Sequence, residues 1–201
     1  MKIAINIILR LLTCIVLLAP FIEATAQSLS FEQVSSQKWL YQRNISCLTQ
    51  DKQGYIWFGT NNGVYRFDGY TVKEYRREAH NINSLIHNNV NCIYAGKDGF
   101  IWIGTWGGLT RFDPATQSFT HYKHDPKNLK SISNNDIRAI EEDENGNLWV
   151  GTFGGGINRL RKATNVFDSY QYSSKKTNSI SSNYINVIRR DLIGNLWIGT
   201  R

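Results

Sequence analysis

Cysteine is scarce: the 201 residues hold three, Cys14, Cys47 and Cys92. Only the last two lie beyond the leader described below, too few for a disulfide scaffold, and a chain of this length buries a core without one. Beyond the leader no run is apolar enough to cross a bilayer, which takes about 20 residues as a helix. No helix-period stretch of useful length follows residue 26, so the rest of the chain reads as strands and turns. The net charge of +7 is a mild excess with neither a basic stripe nor a binding motif, which excludes a nucleic-acid footprint. Catalytic and metal-binding patterns are equally thin. No nucleophile, base and orienting acid stand near one another in sequence. Gly154-Gly155-Gly156 precedes no Lys-Ser/Thr pair and opens no helix, so it is no phosphate cradle. His121 and His124 are three apart on a strand, where they point to opposite faces, so they do not share a metal. Asn44-Ile45-Ser46 matches a glycosylation acceptor but opens a strand, and coincidence accounts for it better. The expectation is a chain with no catalytic residue, no cofactor and no metal.

What is present begins with residues 1–26. Lys2 and Arg10 precede an apolar run from Leu11 to Ile22, broken only by Thr13, Cys14 and Pro20, and Ala24-Thr25-Ala26 follows. This is a secretory signal with cleavage after Ala26, leaving Gln27 as the mature N-terminus in an extracytoplasmic, periplasmic compartment. Thr13 stands where a small residue would precede a lipid-modified cysteine, and apolar residues continue past Cys14, which argues against a lipid anchor.

The dominant signal is a repeat: GYIWFGT from Gly54, GFIWIGT from Gly99, GNLWVGT from Gly146 and GNLWIGT from Gly194. Trp57, Trp102, Trp149 and Trp197 recur at a period of about 47 residues. Gly59, Gly104, Gly151 and Gly199 follow them in the same register, and a β-branched residue stands twelve positions before each Trp: Ile45, Val90, Ile137 and Ile185. Each unit breaks into four strand-like runs, in the second unit Val90 to Tyr94, Phe100 to Thr105, Leu109 to Phe112 and Phe119 to Tyr122. Asp-x-x-Gly turns at Asp51, Asp143 and Asp191 join the first two runs; the second unit has Gly96 instead, with Asp98 nearby.

Four strands repeated at this period are the arithmetic of an all-β propeller, of which the chain holds about three and a half four-stranded blades of a seven-bladed ring. The repeats are assigned to residues 44–89, 90–136, 137–184 and 185–201, the last stopping after its second strand. Residues 27–43 precede them, with Phe31 to Val34 as an isolated strand that would close the ring on its last blade. The Trp side chains are expected to pack between sheets with their indole N–H on a neighbouring backbone. Cys47 and Cys92 share one register with Ala139 and Val187, which makes them small, unpaired core residues.

The punctuation Asp-x-x-Gly-x-[Ile/Leu]-Trp-x-Gly-Thr, then Gly, then the close Arg66-Phe67-Asp68 or Arg111-Phe112-Asp113, resembles the two-component regulator propeller repeat over residues 44–201. The resemblance implies the extracytoplasmic, oligosaccharide-responsive sensor of a hybrid two-component histidine kinase and response regulator. It also implies further blades, a membrane helix and downstream signalling modules outside these residues, with the parent in the inner membrane and able to act as a homodimer. Two alternatives stay open: a streptogramin-lyase-like propeller enzyme and a non-catalytic protein-interaction propeller.

Strand direction places the second-to-third hairpin and the connection to the next blade at one end of the sheet. The connections, Arg76 to Asn89 and Lys123 to Asp136, are rich in Asn, His, Ser and Lys. At the hairpin tips Asn61, Trp106 and Phe153 follow the Thr of their units. These three, with Lys123 and Lys127, are the candidate ligand residues: an aromatic face beside amide and ammonium donors suits a sugar, and the lysines, with Lys130, Lys175 and Lys176, an acidic one.

Overall fold

The computed structural model describes Ser30 and residues 44–201. The expected signal segment and the ring-closing strand at Phe31 to Val34 lie outside the described residues. Among the described residues fourteen strands alternate with turns. The first four-stranded antiparallel sheet holds β1 (Ile45–Gln50), β2 (Ile56–Thr60), β3 (Gly63–Phe67) and β4 (Val72–Tyr75). The second holds β5 (Val90–Ala95), β6 (Ile101–Thr105), β7 (Gly108–Asp113) and β8 (Ser118–Tyr122). The third holds β9 (Ile137–Glu142), β10 (Leu148–Thr152), β11 (Gly156–Arg161) and β12 (Val166–Tyr170), and β13 (Ile185–Arg190) pairs with β14 (Leu196–Thr200). Strand order in each sheet follows the chain, and the first strands of successive sheets, β1, β5, β9 and β13, pack side by side. That radial stacking of up-and-down sheets is a propeller, as the repeat implied.

Two features of the repeat explain how one sheet locks onto the next. A Cβ on Gly59 would meet Cys47 Sγ at 2.4 Å and Val90 Cγ1 at 2.7 Å; on Gly104 it would meet Ile137 Cγ2 at 2.7 Å, and on Gly151 Ile185 Cγ2 at 2.5 Å. The Gly of Gly-Thr is therefore a socket, and the β-branched residue opening the next sheet is its plug. Val90, Ile137 and Ile185 are wholly buried in it. The following Thr closes the hairpin: Thr60, Thr105 and Thr152 donate through Oγ1 to the carbonyls of Gly63, Gly108 and Gly156 at 2.8–3.0 Å. One apolar cluster fills each gap between sheets. The first gathers around Trp57, Val90 and Phe112, the second around Trp102, Ile137 and Phe167, the third around Ala139, Ile157, Ile185 and Ile188.

The tryptophan nitrogens depart from expectation. Trp57, Trp149 and Trp197 donate not to a neighbouring backbone but to their own turn aspartates, Asp51, Asp143 and Asp191, at 2.7, 2.9 and 2.9 Å. The other oxygen of Asp51 accepts the backbone N–H groups of Gln53 and Tyr55, both at 3.0 Å, and Asp143 and Asp191 do the same two and three blades on. One short carboxylate thus caps the turn and orients the indole before any neighbouring sheet is present. Gly54, Gly146 and Gly194 close these turns at φ of 90°, 76° and 95°, where a side chain would be strained.

Cys47 and Cys92 are free thiols. Burial pushes Cys47 up to about 11 and raises Cys92 further.

Candidate functional site at the hairpin rim

In the second and third blades the residue after the hairpin Thr is tied to the residue just before the inner strand of the same sheet. Trp106 N donates to Asn89 O at 3.3 Å and Phe153 N to Asp136 O at 2.8 Å. Hairpin tips and blade connections therefore meet at one end of the sheets, and the tips lie at its inner side.

Trp106 is 53% exposed yet held in place. Its indole N–H donates to Asn91 Oδ1 at 3.1 Å, and its ring stacks on His87 at a centroid distance of 6.4 Å. Asn91 turns its amide to Asp136 Oδ1 at 3.1 Å and to Ile137 O at 2.8 Å in the next blade. Asp136 Oδ2 in turn accepts Arg138 at 2.8 Å, and the guanidinium of Arg138 lies over the Phe153 ring, 4.8 Å from its centroid. Phe153 meets Tyr184 edge to face at 4.8 Å. The result is a continuous tier, His87, Trp106, Asn91, Asp136, Arg138, Phe153 and Tyr184, that crosses two blade boundaries. Its polar members fix the orientation of the exposed rings.

The other candidates are placed differently. Asn61 holds the Trp106 position in the first blade and is exposed. Lys123 lines a groove of about 290 Å³ with Arg77, His80 and His121. Lys127 sits exposed in a turn, its backbone N–H on Asp125 Oδ1 at 2.9 Å. Lys130 O accepts Phe167 N at 3.2 Å, so this connection runs along the outer edge of the third sheet, away from the inner tier. No hydrogen bond among the described residues joins Lys123 or Lys127 to Trp106.

Much of the Asn and Ser content of the connections is spent on folding them. Asn88, Asn135 and Asn183 accept the backbone N–H groups of Arg77, His124 and Tyr172 at 2.7–2.8 Å. Ser84, Ser131 and Ser179 accept those of Glu78, Asp125 and Ser173 at 2.9–3.2 Å. Each connection is thus a closed hook rather than a string of free donors. The histidines are engaged as well: His121 contacts Thr110 Oγ1 and Ile82 O, each at 3.1 Å, and His124 contacts Ile132 O at 2.9 Å. Burial holds His121 below the usual imidazole range, with the nearby Lys123 charge adding to the effect.

In the third blade's hairpin glycine serves close approach rather than chemistry: a Cβ on Gly155 would meet Ser133 Oγ at 2.5 Å and Asn134 Cβ at 2.8 Å.

The family described as "Two component regulator propeller" matches residues 42–62, 84–107 and 131–154. Among solved structures, the extracellular domain of a B. thetaiotaomicron protein named as a hybrid two component system is 31% identical, with a TM-score of 0.69 over 78% of this chain and 22% of that one. A second such domain from the same organism is 29% identical, with a TM-score of 0.65 over 79% and 22%. The chain thus spans about a fifth of the length of these relatives. Virginiamycin B lyase of Staphylococcus aureus shares the fold alone, at 16% identity and a TM-score of 0.59 over 79% of this chain and 49% of the enzyme. No curated protein matched the sequence. Three matched repeats each coincide with an inner strand pair and its Trp-x-Gly-Thr socket, so the chain carries the repeat of the two-component regulator propeller family.

Proposed function

We propose that this chain is the ligand-sensing propeller of the extracellular region of a hybrid two-component regulator, exported by its N-terminal segment, and that its hairpin rim binds an oligosaccharide. The observation that carries the reading is Trp106: a half-exposed indole fixed by a hydrogen bond to Asn91, where the architecture asks for no aromatic residue. Asn61 and Phe153 stand at the same position in the neighbouring blades, so the side chain there is free to serve recognition. A flat apolar ring bordered by the Asn91 amide and the Arg138 guanidinium matches the apolar face and hydroxyl rim of a sugar.

Binding rather than catalysis is the better account of this tier. Asp136 and Arg138 are paired with each other, and His87 Nδ1 accepts Asn89 N at 3.0 Å. The lyase neighbour shares a fold, which by itself carries no chemistry to this chain. Among the described residues no helix is long and apolar enough to cross a membrane, so the proposed signalling would pass to segments of the parent outside them.

Calorimetry with the intact sensor and a panel of neutral and acidic oligosaccharides tests the proposal. A rim site requires that Trp106→Ala weaken the best ligand at least about tenfold, the loss expected for a stacked aromatic anchor. Unchanged affinity in a folded Trp106→Ala variant removes Trp106 from the site.

A further inference from the structure

The second blade breaks the turn pattern that the others keep. Where Asp51, Asp143 and Asp191 accept their tryptophan N–H, this blade has Gly96. A Cβ on Gly96 would lie 3.5 Å from Trp102 Nε1, so the indole still aims at the place the missing carboxylate would fill. Trp102 is only 7% exposed, and its Nε1 carries no hydrogen bond among the described residues. Nearby Asp98 does not replace the lost acceptor: its Oδ1 takes Phe100 N at 3.3 Å and its Oδ2 faces Lys162 Nζ at 3.9 Å.

The vacated place opens on a cavity of about 200 Å³ between the second and third blades, lined by Asp98, Phe100, Trp102, Arg111, Glu142 and Lys162 among others. It lies at the turn end of the sheets, opposite the hairpin rim. Glu142 is 5% exposed. Its Oε2 accepts Lys97 N at 3.0 Å, while Oε1 has no hydrogen bond and the carboxylate no ion pair among the described residues. Arg111 also makes no ion pair among the described residues; its guanidinium donates to Thr120 Oγ1 at 3.4 Å and rests over the Phe100 ring, 4.5 Å from the centroid. The residues matching Glu142 in the other blades are Gln50, Ala95 and Arg190, so this carboxylate is not part of the repeat.

One cavity therefore gathers an indole N–H without the turn acceptor of the other blades, a buried carboxylate held by one backbone N–H but in no ion pair, and a half-buried guanidinium in no ion pair among the described residues, with the Lys162–Asp98 pair beside them. Uncompensated buried charge is costly, and water lowers that cost without cancelling the charge. A metal ion would meet Arg111 and Lys162; a simple anion would meet Glu142 and Asp98; a neutral polyol would leave both charges unpaired. We infer that this cavity binds a small zwitterion of the α-amino-acid type, its ammonium on Glu142 and its carboxylate on the Trp102 N–H and Arg111. The volume is below that of drug-sized pockets and suits a compact ligand. The site is separate in place and in ligand chemistry from the proposed sugar rim, so either can fail without the other.

The test is calorimetry on the whole protein with glycine, L-serine and L-threonine, against propionate and ethylamine, which each carry one of the two charges. The expected result is that an amino acid binds at least about tenfold tighter than either half, and that Glu142→Gln weakens it by at least the same factor. The double variant Gly96→Asp/Asp98→Asn restores the turn of the third and fourth blades and should abolish binding while keeping or raising the melting temperature. Rim binding of an oligosaccharide should be unaffected by it. Absence of heat with all three amino acids overturns the inference, as does undiminished binding in the Gly96→Asp/Asp98→Asn protein.

Discussion

Trp57 and Trp197 hold the same place in the repeat and make the same hydrogen bond, 2.7 Å to Asp51 and 2.9 Å to Asp191, yet Trp57 is wholly buried and Trp197 is 66% exposed. The difference separates two contributions that the repeat motif joins. The carboxylate clamp is local, made within one turn and one strand. Burial is supplied by other elements: Tyr75 and Phe112 stack on and against Trp57 at 5.6 and 5.7 Å, and among the described residues no such ring covers Trp197. The same split appears at the sockets. Gly151 faces Ile185 and Ile188 of the next sheet, whereas among the described residues Gly199 faces only Val187 of its own. Motif residues therefore preset each blade, and the contact between blades stabilises it.

The largest expected contrast is between two truncations of the same residue type. Trp57→Ala should cost about 3–5 kcal/mol, the range for emptying a large aromatic site in a core, while Trp197→Ala in this chain should cost under about 1 kcal/mol. Chemical denaturation of the two variants measures both; equal losses would mean that the clamp, rather than burial, carries the stability. Smaller, and of the same form, is the socket contrast. Gly151→Ala places a methyl 2.5 Å from Ile185 Cγ2 and should cost about 1–3 kcal/mol through overpacking. Gly199→Ala meets only the partly exposed Val187 and should cost less. A tolerant Gly151 would show that the blades slide on one another instead of interlocking.

How far these features can be read without coordinates depends on their range in sequence. The period, the four strands per unit and the connection lengths follow from local turn chemistry: Asp-x-x-Gly closes one hairpin and Thr-x-x-Gly the next, and β5 to β8 lie within a residue or so of the runs marked by alternation. The indole acceptor is equally local, an aspartate of the same turn rather than the neighbouring backbone that the sequence suggests. Asp51, Asp143 and Asp191 each stand six residues before their Trp, and the one unit without that Asp was the signal. The Ser and Asn of the connections also recur in fixed register, which marks them as structural despite a composition that reads as ligand donors. The tier from Trp106 to Tyr184 was not legible. It depends on Asn91 reaching Asp136 and on Arg138 lying over Phe153, pairings between blades that no spacing displays.

Acid sharpens the comparison of the clamps. Burial works against the Asp143 carboxylate, but the hydrogen bonds from Asn147, Trp149 and Asn145 together outweigh it and hold its pKa below the usual range. In Asp191 the Trp197 bond comes first, and the result is again a depressed value. A folded-state pKa below the unfolded one means stability that is fully present above about pH 4 and is lost as pH falls toward the folded value. Denaturation between pH 6 and pH 3 should therefore show a loss that is reduced in Asp143→Asn, because that variant has no carboxylate to protonate at this clamp. An unchanged pH profile in Asp143→Asn would show that other carboxylates set the acid limit.

The smallest effect concerns reactivity alone and compares the first two blades. Cys47 and Cys92 occupy one register, each against the socket glycine of its own sheet, and both thiols are raised by burial, Cys47 to about 11 and Cys92 beyond it. Each thiol borders a socket filled from the next blade, Cys47 by Val90 and Cys92 by Ile137, but β1, which carries Cys47, also leaves Ile45 and Leu48 exposed. Only the thiolate is alkylated, so at pH 8 both should react far more slowly than a free cysteine of pKa about 8.5, and Cys92 more slowly than Cys47. In denaturant without reductant both should label at the ordinary rate, since neither is bridged. Peptide mapping after timed iodoacetamide exposure resolves the two sites. Faster labelling of Cys92 than of Cys47 in the folded protein would mean that the contact between the second and third blades opens more readily than the face of the first.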